Sequence, residues 1–114
     1  MECKDKIIGD MAIVSLEGHI IGSPDTEKLH SEIQCLLKEN IRKIILDLHG
    51  VNWMGSMGVG SLMHNLISVR NVGGDMLFAQ LSSKVKSLFK ITKLDSVVQI
   101  YDTLDQAVKS FEPE

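Results

Sequence analysis

Between Ile44 and Met63 the chain reads IILDLHGVNWMGSMGVGSLM: an apolar run, small residues around one hydroxyl, then apolar residues at helical spacing. From Arg42 to Leu48 (RKIILDL) the run is short and largely apolar, as in a central parallel strand covered on both faces. Past the glycine-rich segment, Val59, Leu62, Met63, Leu66, Ile67 and Val69 mark the buried side of a helix. Asn71 and the Gly73–Gly74 pair end it. A buried strand feeding a helix through a short loop predicts an α/β fold.

The flanks repeat the theme. KIIGDMAIVSLEG predicts a hairpin, with strands near Lys4–Ile8 and Met11–Leu16 about a Gly9–Asp10 turn. Ser23 is placed to cap a helix, with Pro24 at its first position and Asp25 and Glu27 at its positive end. Leu29, Ile33, Leu36 and Leu37 then recur at helical spacing, and Asn40 is the stop. Further strands are expected near Met76–Leu81 and over residues 96–101. A short helix capped by Ser82 or Ser83 runs to about Ile91, and Thr103 opens a closing helix with Leu104, Ala107, Val108 and Phe111 on its apolar face. The order ββαβαβαβα gives a mostly parallel mixed sheet with helices packed on it, its crossovers right-handed.

With 114 residues, one domain spanning 1–114 is expected. A net charge of −3 with no basic cluster argues against nucleic acid and against an anionic membrane surface. No apolar run approaches the ~20 residues of a membrane helix, and the charged MECKDKIIGD start is no signal peptide, so a cytoplasmic protein is expected. Cys3 and Cys35 lack CxxC spacing and read as free thiols.

Ser56 lies beyond the carboxyl end of a central strand, at a helix start, where open α/β sheets place working residues and where free N–H groups favour an anion. The plainest reading is a capping serine, with Gly58 and Gly60 allowing close packing. A nucleophile is a second: Gly55-Ser56-Met57-Gly58 nearly spells GxSxG, but its second glycine comes one residue early and only His64 follows. A phosphate loop is a third, although GxxxxGK[ST] is absent and GxGxxG is half-present as Gly58-Val59-Gly60. A metal site finds no support in the scattered His19, His30, His49 and His64, which read as surface or partly buried side chains. The last reading is that Ser56 is itself modified, a phosphate adding about −1.5 to −2 charges.

The stretch Ile44–Met63 resembles the signature of the anti-sigma factor antagonist family, the STAS domain: an apolar strand ending in Asp-Leu, then a serine at a helix start with paired glycines. FAQLSSKVKSLFKITKLDSVVQIYDTLDQAV resembles the C-terminal half of that family, and length and element order agree over nearly the whole chain. The resemblance implies a single STAS-like domain and a bacterial regulatory binding protein rather than an enzyme, with no cofactor of its own. Its partner would be an anti-sigma factor that is also a serine kinase and itself binds the ATP. The kinase would phosphorylate Ser56 and break the complex, and a phosphatase would restore it.

Asp47, Gly55, Met57, Gly58 and Gly60 would shape the loop, while Gly22, Ser23, Trp53, Met54 and Met57 would meet the partner. The chain would be a monomer or weak homodimer. Gly55 stands where the family has Asp, Met57 where it has a second Ser, and GHIIGSPD lacks its early acidic residue. The alternative is a scaffold or ligand-sensing STAS module without phosphorylation, marked by a pocket of Ser56, Asp47 and the loop after Gly18. A hydrolase stands third.

Overall fold

In a computed structural model, residues 1–112 are described. The elements are β1 (Glu2–Ile8), β2 (Met11–Ile20), α1 (Ser23–Lys38), β3 (Lys43–Met54), α2 (Ser56–Asn71), β4 (Asp75–Ala79), α3 (Ser83–Ile91), a 3-10 turn (Leu94–Ser96), β5 (Ile100–Tyr101) and α4 (Leu104–Phe111). They form one sheet in the spatial order β1-β2-β3-β4-β5. The β1–β2 hairpin is antiparallel and every other pairing is parallel, as the expected element order requires.

The strand period of two divides the core between the faces. Ala12, Val14 and Leu16 of β2 and Ile44, Leu46 and Leu48 of β3 pack with α1, α2 and α3. Met11, Ile13, Ile45 and Leu77 point the other way and meet Ala107, Leu104, Val108 and Phe111 of α4. Under α3, Phe89 meets Phe78 edge-on with centroids 5.8 Å apart, a pairing worth about 1 kcal/mol beyond its buried area.

Several boundaries differ from the sequence expectation. Gly22, not Ser23, is the N-cap of α1; its carbonyl accepts from the N–H groups of Asp25 and Thr26, and Ser23 begins the helix. Ile67 lies on the outer side of α2 and is 53% exposed, while Asn65 takes a buried place beside Leu62, Leu66 and Val69. The last strand shrinks to two residues, because Leu94–Ser96 tightens into a 3-10 turn that buries Leu94. β2 and β3 run on past β4, still paired as far as Ile20 and Met54. That extension carries the start of α2 beyond the rest of the sheet.

Candidate functional site

The two polar residues of the Ile44–Met63 stretch occupy different places. Asp47 sits on the face of the sheet that bears α4, level with the end of β4. It is 8% exposed, and its carboxylate accepts from Ser15 Oγ (3.0 Å), the His49 N–H (3.0 Å) and Gln80 Nε2 (2.9 Å). Gln80 reaches it from a left-handed turn (φ 59°) immediately after β4. Asp47 thus fastens three parts of the chain where the sheet narrows.

Ser56 stands at the far end of the β3 extension, on the order of 20 Å of strand beyond Asp47 at ~3.3 Å per residue. It is the first residue of α2 and is exposed. Gly55 is the N-cap, in extended backbone, and no side chain caps the helix. The plain capping reading of Ser56 is therefore incorrect: the residue lies one position too late. The Gly55 N–H donates to Ile20 O at 2.9 Å, which pins the turn to the end of β2. A Cβ at Gly55 would meet its nearest atom, Ile21 O, at 3.6 Å, so the Asp that the resembling family has there would fit sterically.

The two paired glycines are not equivalent. A Cβ at Gly58 would lie 2.5 Å from Ile20 O, so α2 rests directly on the end of β2 there. A Cβ at Gly60 would meet nothing within 4 Å. Close packing accounts for Gly58 and leaves Gly60 without a reason inside the fold.

Around this turn the expected contact residues separate. Met54 is 1% exposed and belongs to the main core, so its assignment as a partner contact is corrected: strand alternation turns it inward. Trp53, its neighbour, is 50% exposed and Met57 is 55% exposed. Gly22 is partly exposed and Ser23 exposed, at the start of α1. In the first turn of α1, Asp25 Oδ2 accepts from the Ile21 N–H at 3.3 Å, and that bond foremost holds its pKa below the ordinary carboxylate value.

Met57 and Gly60 line an open groove of about 590 Å³ between α1 and α2, together with Thr26, Glu27, His30, Ser31, Ser61 and His64. Two of the four histidines scattered in sequence meet here: the His30 and His64 rings are 5.4 Å apart. Asn65, fully buried, donates to Ser61 O at 2.8 Å, which leaves its Oδ1 facing His30 Nδ1 at 3.3 Å. The amide orientation makes His30 Nδ1 the donor. No sequence motif announces this cluster; the one hint is Asn65 at a helix position otherwise flanked by apolar residues. Among the described residues no group of three or more His, Cys, Asp or Glu is arranged to hold a metal. Trp53 lines a second groove, against α3. Among the described residues no helix is long and apolar enough to cross a membrane. Cys3 and Cys35 are both free, and burial raises the Cys3 thiol to about 11.

Known proteins share this architecture. BtrV of Bordetella bronchiseptica, named as an anti-sigma factor antagonist, is 26% identical over 107 residues, covering 94% of this chain and 90% of its own. A Thermotoga neapolitana protein of the same designation is 34% identical over 73 residues, 64% of this chain and 65% of its own. The crystal structure of an anti-sigma factor antagonist from Thermotoga maritima superposes with a TM-score of 0.87 at 25% identity, covering 95% of this chain and 92% of the other. The phosphorylated form of the Bacillus cell fate determinant SpoIIAA shares the fold, with a TM-score of 0.76 at 16% identity over 97% of this chain and the whole of the other. The family model described as the STAS domain matches residues 3–107, and the chain belongs to that family.

Proposed function

We propose that the protein is an anti-sigma factor antagonist whose partner is an anti-sigma factor with serine kinase activity, and that phosphorylation of Ser56 dissociates the pair. The carrying observation is the position of Ser56: exposed, first in α2, and free of any capping duty. A hydroxyl spent on a cap is tied to backbone N–H groups, whereas this one is open to a kinase. The first turn of α2 contains no acid, so a phosphate there meets the positive end of the helix without a like charge on its own turn. The same phosphate places about two negative charges beside exposed Met57, on a face that an apolar partner surface would cover.

In this reading Ser56 accepts the phosphate from ATP held by the kinase. Gly55 and Gly58 set the turn, and Asp47 holds the sheet that carries it. A phosphatase resets the serine. The protein performs no catalysis of its own and acts in the bacterial cytoplasm. The pocket that would mark a ligand-sensing module, with Ser56 beside Asp47, has its two named residues at opposite ends of the β3 extension.

The test is intact mass spectrometry of the protein from its native cells, with peptide mapping of residues 44–70. A phosphate on Ser56 in some growth states is expected. Ser56→Asp should bind the kinase at least tenfold more weakly than the wild type, about 1.4 kcal/mol. A serine unmodified in every growth state, or an undiminished affinity, would overturn the switch.

A further inference from the structure

Helix α3 has more apolar surface than its own packing needs. Val85 and Phe89 are buried under it. A second stripe, Lys84, Ser87, Leu88 and Ile91, follows the i, i+3, i+4, i+7 spacing on another side. Trp53 stands beside that stripe, and the five side chains with Ser83 line a groove of about 480 Å³. Ile91, at 79%, is the most exposed of the large hydrophobic residues. The groove is held in place rather than hinged, since Ser82 Oγ donates to Val51 O at 3.3 Å and so ties the start of α3 to β3.

Its charge is one-sided. Lys84, Lys86, Lys90 and Lys93 are four of the twelve basic residues in a chain of net charge −3, and no acid occurs between Met76 and Leu94. Of these, Lys84 lines the groove. Lys86 pairs with Asp102 at 3.3 Å, while Lys84 and Lys90 have no ion pair among the described residues. Among the described residues no acidic one lines the groove.

The geometry points to a docking site for an acidic amphipathic helix of a partner protein. Apolar residues one turn apart would seat on Trp53, Leu88 and Ile91, with carboxylates toward Lys84 and Lys90. This surface lies on α3, away from the α1–α2 groove, and does not rest on modification of Ser56. It makes Trp53 an anchor for a second contact rather than part of the serine face.

The experiment is selection from a displayed library of randomised helices about four turns long, followed by binding of the winning peptides to the full chain. The single tryptophan reports directly, because seating an apolar residue on Trp53 shifts its emission to the blue. Selected helices should combine apolar residues at i, i+3 or i+4, and i+7 with an excess of Asp and Glu. Lys84→Glu with Lys90→Glu should weaken them at least about tenfold. Ile91→Ser, which alters an exposed side chain and leaves the fold intact, should weaken them as well. Winners without acidic bias would overturn the proposal, as would binding indifferent to the charge reversal. A Trp53 shift that follows protein concentration alone, with a dimer in sedimentation, would assign the groove to a second copy and equally refute it.

Discussion

Asp47 and Ser56 stand on the same strand-to-helix connection and are used in opposite ways. Asp47 is buried and accepts from Ser15, His49 and Gln80. Ser56 is exposed and caps nothing. Gly58 and Gly60 repeat the contrast on α2, one pressed against Ile20 and one facing open space. A polar or small residue that the fold uses can be recognised by its partners. One that the fold leaves unused is where a function outside the chain is to be sought.

The contrast breaks first at the glycines. Gly58→Ala forces a methyl to within 2.5 Å of a backbone carbonyl, and neither α2 nor β2 can yield cheaply. A loss of about 3 kcal/mol is expected in denaturant unfolding. Gly60→Ala should do the reverse and gain up to about 1 kcal/mol, since glycine is a poor helix former and the added methyl meets nothing. A stabilised Gly60→Ala that binds the kinase poorly would identify Gly60 as a point of close approach.

Asp47→Ala comes next. It leaves the Ser15 hydroxyl, the His49 N–H and the Gln80 amide without their acceptor where the sheet narrows. About 2 kcal/mol should be lost, with Ser56 still open to a kinase. Equal loss of stability and of phosphorylation rate would mean that the two ends of the extension are not independent.

A third prediction concerns pH and the outer edge of the sheet. Glu32 on α1 is raised to about 7, chiefly by a hydrogen bond with Asp5 of β1, then by burial and by the charges of Asp5 and Glu39. The folded chain keeps a proton there that the unfolded chain releases in the ordinary carboxylate range. Between that range and pH 7 the folded state binds more protons, so stability falls as pH rises and then levels off. Thermal unfolding should give a lower Tm at pH 8 than at pH 5 through this pair. Asp5→Asn should flatten that dependence and raise the Tm at pH 8 above that of the wild type.

Much of this was legible in the sequence, for identifiable reasons. The continuous run at Ile44–Leu48 and the helical spacing of Leu62, Leu66 and Val69 report burial directly, and burial decides the α/β fold. Boundaries were less legible. Ser23 is as good a cap as any serine, yet the chain turns one residue earlier, at Gly22. The extension of β3 to Met54 depends on pairing with β2, a long-range partner that periodicity does not contain. That extension also decided Met54 against Trp53, since alternation along a strand sends one in and the other out. On α4 the cap is reciprocal, Thr103 with Gln106, a pairing that the Thr-x-x-Gln spacing encodes locally. The meeting of His30, His64 and Asn65 was not readable, because α1 and α2 bring them together across a distance that sequence spacing does not encode.

The smallest expected effect sharpens the comparison most. Ser56→Asp places a carboxylate at the first position of a helix whose first turn has no acid. The helix dipole favours a negative charge there by about 0.5 kcal/mol, and the exposed serine gives up no cap when it is replaced. The Tm of Ser56→Asp should therefore equal or slightly exceed that of the wild type, and Ser56→Ala should leave it within about 0.5 kcal/mol. A loss of kinase binding by the Asp variant is then a loss at the interface, because the fold has not weakened. Were Ser56→Asp instead to unfold early, Ser56 would belong with Asp47 among the residues the fold requires, and the separation between the two would fail.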